Sequence, residues 1–295
     1  MGLRANPTQR QRRLGEELRK LREASGLSAT EAGAHVGLGR AHMSHIETGR
    51  TAIPEEKLRA LADVYGCTSH TLIDGLCEMG RATGRGWWSA YKATHDARAF
   101  DLAELEAGAA AHRSFQWMYV PGLLQTTDYM RCLFEGSQPN SPDVVDSAVE
   151  FRQRRQQVLL EGSQQFHAVI HEAALLMQFV PADVMRRQIE HLVKAAELPH
   201  VRVQLLPFKA DLDSAATPGA PFSILDSRVP ELSTVHVEHP VSSVFLGDRE
   251  HLGQYNAAFE HLSAVALSPI ARRGDHECYT KRDSLQLIQH LLYVL

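Results

Sequence analysis

Four cysteines are spread over 295 residues, at Cys67, Cys77, Cys132 and Cys278, and no two form a CxxC pair. That spacing builds neither a zinc cluster nor a disulfide framework, so the expectation is reduced, packed thiols, with no metal site and no cofactor. No stretch approaches the roughly 20 consecutive apolar residues of a membrane helix. The opening MGLRANPTQRQRRLGEEL lacks the apolar run of a secretion signal, and a cytoplasmic location is expected. A nucleophile elbow, a glycine-rich phosphate loop and paired metal-ligand spacings are all missing, which leaves little on which to build an enzyme, and no catalytic residue is assigned. His171-Glu172 comes nearest to a zinc-protease helix, yet Leu175 stands where HExxH needs its second histidine. One carboxylate–histidine grouping stays open, Glu172 with Glu238 and His239, should the fold bring them together.

What is present is an ordinary globular balance, 44% hydrophobic and 22% charged, in a chain long enough for two cores. The net charge of -4 is too small for unselective coating of nucleic acid, but it is unevenly placed. Residues 1–50 hold nine Lys/Arg against five Asp/Glu, which is +4 there and -8 over the remainder. A basic head therefore precedes an acidic body.

Leu14, Leu18 and Leu21 recur on one helical face of the head, with Arg12, Arg13, Glu16, Arg19 and Lys20 mostly off it. Gly26 reads as the residue that ends this helix, and Ser28 as the N-cap of the next. In ATEAGAHVGLGRAHMSHIET, Gly37 is placed to make the turn between two helices. Gly33, costing about 1 kcal/mol of helix propensity, suggests a close helix crossing. Ala32, Val36, Leu38, Met43 and Ile46 are the residues that such a pair would bury.

The segment LREASGLSATEAGAHVGLGRAHMSHIETGR resembles the lambda-repressor/Cro-like (Xre-type) helix-turn-helix family, through Gly26, Gly33, Gly37, Ile46, Glu47 and Gly49. The resemblance implies an all-α domain of five helices over about residues 9–78 and a structural ion pair between Arg22 and Glu47. A recognition helix starting after Gly39 directs Arg40, Ala41, Ser44, His45 and Thr48 outward, with His42 at its margin. Arg40 suits guanine O6 and N7, Ser44 and His45 suit bases or phosphates, and Ala41 suits a thymine methyl. Ser28, Thr30 and Arg50 are expected at phosphates, where contacts position the protein without reading sequence.

GRATGRG, from Gly80 to Gly86, reads as a hinge, and Trp88, Tyr91 and His95 beyond it as a packing stripe at helical spacing. Thereafter the strand readings are SFQWMYV, FHAVIHE, VRVQLLPF, PFSILD, STVHVEH and SSVFLG. Helix readings interleave with them, which makes an α/β or α+β body. The loop PFKADLDSAATPGAPF is a candidate gate, and Arg152, Arg154 and Arg155 read as either a solvated face or a patch for an acidic partner.

VPGLLQTTDYMR, RQRRQQVLL, IHEAALLMQF, QIEHLVKAAELPHVRVQLLPF and VHVEHP are similar to the C-terminal domain of WhiJ-like, antitoxin-like regulators of actinobacteria, with Glu104 or Glu106 loosely matching a glutamate of that pattern. Least similar is the tail from Gly274. That resemblance implies a transcription factor, often accompanied by a small modulating protein. The expected organisation is a DNA-binding domain at 1–80, a hinge and connector helix at 81–106 and a regulatory domain at 107–295. The expected function is a homodimeric, sequence-specific regulator of double-stranded DNA bearing an inverted repeat, controlled by a small-molecule effector or a small partner protein. The alternatives are an antitoxin-like protein that chiefly neutralises a partner, and an enzyme housed in the body.

Overall fold

The computed structural model describes residues 3–92, 94–137, 141–162, 164–212, 219–239, 242–271 and 283–295. Backbone contacts divide the chain into two units, Met1–Leu105 with Arg228–Leu232, and Glu106–Ser227 with Ser233–Leu295.

The first unit is helical: α1 (Gln9–Ala24), α2 (Ala29–His35), α3 (Arg40–Glu47), α4 (Glu55–Val64) and α5 (His70–Arg81), then a 3-10 turn at Trp87–Tyr91 and the start of α6 (Ala97–Gly108). Local chemistry marks the ends. Thr8 and Gln11 form a capping box at α1, and Ser28 and Glu31 form another at α2. Gly26 and Gly37 adopt positive φ, 76° and 66°, where a side chain would be strained. Leu18, Met43, Leu58, Leu61 and Leu76 are wholly buried, and each such side chain contributes on the order of 2 kcal/mol by leaving water. Val229 and Leu232 complete this core. Gly75 leaves room for both, since a Cβ there would meet their side chains at 2.8 Å.

Two readings need correction here and a third an addition. Gly33 faces the crossing helix α3, where a Cβ would fall 3.0 Å from Met43 Cγ, but the tighter approach is the turn after α2, which brings the Leu38 carbonyl oxygen to 2.3 Å of that Cβ. The hinge is shorter than GRATGRG, since α5 runs through Gly80 and Arg81. The aromatic stripe is Trp87–Tyr91–His95, with ring centroids 6.1 and 5.8 Å apart, while Trp88 is buried.

The second unit is an α/β body on a six-stranded sheet. Its elements are β1 (Ala111–Gln116), α7 (Thr127–Ser137), α8 (Pro142–Leu160), β2 (Gln165–His171), α9 (Ala182–Ala195), β3 (Val201–Leu206), β4 (Phe222–Asp226), β5 (Thr234–His239), β6 (Ser242–Leu246), α10 (Arg249–Val265) and α11 (Ser284–Val294). The sheet order is β3-β2-β1-β4-β5-β6, with β1, β2 and β3 parallel and β4, β5 and β6 added antiparallel. The two architectures weighed from sequence thus meet in one sheet. Helices carry the chain between the parallel strands, and short connections join the antiparallel ones.

Phe166, Ala168, Ile170, Val203 and Leu205 form an apolar face with residues of α9 and α11, and the opposite face packs Phe115, Val169, Phe222 and Val235 with Leu252, Phe259 and Leu262 of α10. Strand β1 starts three residues earlier than SFQWMYV suggested, because its alternate residues His112, Ser114 and Gln116 are polar and nevertheless buried. In α11, Leu287, Ile288 and Leu291 each sit at 1% exposure in the apolar core, and the Ser284 hydroxyl accepts the Leu205 amide N–H at 3.0 Å. Arg152 and Arg155 do not form a solvated face either. Arg155 is 12% exposed and donates twice to Glu106, both at 2.7 Å.

Candidate nucleic-acid interface

Helix α3 faces two ways. Met43, Ile46 and Glu47 are buried, at 0, 2 and 9% exposure, and their i, i+3, i+4 spacing puts them on one side. Arg40, Ala41, His42, Ser44 and Thr48 are exposed on the other, with His45 half-buried. Arg40 and Arg50 enter no ion pair among the described residues, so both charges are open to an external anion. Gly39 supplies no side-chain cap, and the first amide N–H groups of α3 carry the positive end of its dipole.

Three contacts hold this helix. Arg22 grips Glu47 through Nε and Nη2, at 2.5 and 3.0 Å, and donates Nη1 to the Leu27 carbonyl at 2.8 Å. The hydrogen bond to Glu47 raises the Arg22 pKa above its ordinary value against the opposing effect of burial. Gly15 of α1 lies against the last turn of α3, where a Cβ would fall 2.5 Å from the Glu47 carbonyl oxygen and 2.6 Å from that of Ile46. Beyond α3, Gly49 adopts φ 73°, and a Cβ there would meet the Gln11 carbonyl oxygen at 2.7 Å. The backbone of α1 therefore seats α3 at two glycines.

Side-chain bonding alters what some expected contact residues have to offer. The Thr48 hydroxyl donates to the Ser44 carbonyl at 2.8 Å, which leaves it lone pairs for an amino donor and no proton for a phosphate. Ser28 spends its amide on the Glu31 carboxylate at 2.8 Å and accepts the Glu31 amide at 3.2 Å, so only its hydroxyl proton remains. Thr30 is exposed in the first turn of α2 and Arg50 just past α3. Missed in the sequence was Arg4, whose amide donates to the Arg50 carbonyl at 2.8 Å and whose guanidinium donates to that of Gly49 at 3.0 Å. No periodic signal links an N-terminal arm to a turn 45 residues later.

The possible carboxylate–histidine grouping in the body does not assemble. Glu172 follows β2 and Glu238 and His239 end β5, three strand spacings away, or about 14 Å. Glu172 instead accepts the Phe208 amide at 3.0 Å. Residues 213–218 of the candidate gate loop lie outside the described residues.

The family model for the Domain of unknown function (DUF5753) matches residues 100–274, more than half of the chain. The chain belongs to the DUF5753 family. Within this member, a second family model, the Helix-turn-helix domain, matches residues 13–75, the segment that includes α2 and α3. The HTH-type transcriptional regulator DdrOP3 of Deinococcus deserti is 36% identical over 71 residues, covering 24% of this chain and 55% of the relative. The chain thus spans about half the length of that curated relative. No solved structure matches. In this DUF5753 chain the helix-turn-helix forms part of the first unit, and the family match begins in α6, covers the sheet and ends before α11. Among the described residues no helix is long and apolar enough to cross a membrane.

Proposed function

We propose that this chain is a sequence-specific DNA-binding transcriptional regulator of the lambda-repressor/Cro-like (Xre-type) class. One observation carries the reading: α3 is clamped inward through Met43, Ile46 and Glu47 while Arg40, Ala41, His42 and Ser44 face outward. The protein binds as a homodimer to an inverted repeat, one α3 per half-site, with half-sites about 34 Å apart. Arg40 reads a guanine, Ala41, His42, Ser44 and His45 contact base edges or nearby phosphates, and Thr48 accepts from a base amino group. Arg50 and Thr30 contact phosphates, joined by the hydroxyl of Ser28. Residues 1–80 form the reader and 81–106 the connector. Residues 107–295 form a WhiJ-like regulatory body through which a small molecule or small partner protein changes the affinity for DNA. The similarity to the HTH-type transcriptional regulator DdrOP3 and the helix-turn-helix match support the DNA-binding part of this reading.

Sequencing of the fragments that the purified protein retains from a random DNA pool tests it. A recurrent inverted repeat is expected. Arg40→Ala should cost about 1–3 kcal/mol at one base position, whereas Arg50→Ala should weaken all sites alike and flatten the salt dependence. Salt-sensitive retention without any motif would refute sequence-specific regulation and favour an antitoxin-like protein acting on a partner.

A further inference from the structure

The sheet of the second unit is apolar on only half of one face. Continuing that face past Phe166 and Ala168, the register places His112 and Ser114 on β1, Ser223 on β4 and His236 on β5. All four are buried, His112 at 4% exposure and His236 at 3%. Neither ring nitrogen of His112 has a hydrogen-bond partner, and Nε2 of His236 has none. Each unsatisfied buried polar group costs about 1–3 kcal/mol, so three such atoms in one patch call for an explanation outside simple packing.

Charge on this face is also unbalanced. Glu106 and Arg155 satisfy each other through two bonds, and this pair lies within electrostatic reach of His112 and His236 and of a second arginine, Arg152. Arg152 sits over the Phe134 ring at 4.6 Å and donates one bond, to Gln125 Oε1 at 2.5 Å. It has no carboxylate within ion-pair distance among the described residues, and Glu238, exposed at the end of β5, and Glu106 attract it without forming a bond to it. The hydrogen-bond inventory points the same way. Ser114 accepts from Ser223 at 3.2 Å and from Gln116 at 3.5 Å, so its own proton is directed onward. Both Glu106 oxygens and Gln125 Oε1 are already occupied. The patch therefore holds an imidazole N–H of His112 without an acceptor and, in Arg152, a positive charge without a carboxylate at ion-pair distance among the described residues.

We infer that this polar half-face is a binding site for the oxyanion group, carboxylate or phosphate, of a small molecule, with Arg152 supplying the charge and His112, His236 and Ser114 the hydrogen bonds. The inference rests on the proposed regulation only for its consequence, since anion binding and DNA binding are measured separately and fail separately.

The test is calorimetric melting and titration of the full chain, without DNA, with sodium phosphate and with sodium acetate against sodium chloride at equal ionic strength. A saturable rise of several degrees in the melting of the second unit is expected with at least one anion. The preferred anion distinguishes phosphate from carboxylate. Arg152→Gln should lose at least tenfold in affinity and His112→Phe several-fold, while Arg40→Ala, which removes a charge from the reading helix, should leave the effect intact. In the wild type, the imidazole nitrogen resonances of His112 and His236 should move with the same saturation curve, a readout that needs no variant to fold. No saturable effect with either anion, unmoved histidine resonances, or an undiminished effect in both Arg152→Gln and His112→Phe would overturn the site.

Discussion

Two glycines inside helices, Gly15 in α1 and Gly253 in α10, should respond to alanine with opposite signs. In both, alanine brings about 1 kcal/mol of helix propensity. At Gly253 nothing lies within 4 Å of the new Cβ, so the full gain should appear. At Gly15 the Cβ would sit 2.5–2.7 Å from backbone atoms of Ile46 and Glu47, almost 1 Å inside ordinary contact, and no side chain there can swing away. Overpacking of this kind costs about 1–3 kcal/mol, and contact with backbone argues for the upper end, leaving a net loss of about 2 kcal/mol. Scanning calorimetry should show the first unit melting roughly 8 °C lower in Gly15→Ala, and the second unit about 3 °C higher in Gly253→Ala. Because the strain falls on the last turn of α3, Gly15→Ala should also weaken DNA binding. A raised or unchanged first transition in Gly15→Ala would refute the argument that α1 seats α3 by backbone contact.

Glu47→Gln keeps the size of the side chain but removes the charge that holds Arg22, and should cost about 2–3 kcal/mol in chemical denaturation. Burial depresses the His112 pKa to about 4 from the ordinary 6.5, so between those values the unfolded chain binds a proton that the folded chain refuses. Stability should therefore fall as pH drops from 6.5 to 4, by on the order of 3 kcal/mol from this group, and His112→Phe should flatten that slope. Burial alone would raise the Glu106 pKa, but Arg155 holds it below the ordinary value. Its contribution is present above pH 4.5 and should be lost only as pH falls further, from the acid end of the histidine window downward. Leu287→Ala should cost about 2–5 kcal/mol although it lies beyond the family match, whereas Tyr293→Ala, at an 89% exposed side chain, should stay within about 0.5 kcal/mol in the same denaturation experiment.

By itself the sequence determined the helix-turn-helix head. The signals there are local: leucines at helical spacing, Ser28 three residues before Glu31, and Gly26 and Gly37 where the chain needs positive φ. Each reports on neighbours within a turn or two, and such neighbours are fixed by chain connectivity. The strands β2 to β6 were legible for the same reason, through their apolar residues. Only the tertiary structure decided that Gly15 is indispensable, because the atoms against it belong to residues 46 and 47. The same holds for Arg155, whose partner Glu106 lies 49 residues away, and for Arg152, which read as either part of a solvated helix face or a patch for an acidic partner. His236 alternates with Val235 and Val237 as a solvent-facing position would, His112 and Ser114 flank the charged Arg113, and pattern alone does not distinguish a polar face in water from one buried in protein. That difference is made by what packs above the sheet, so burial, charge balance and unmet hydrogen bonds belong to the folded molecule.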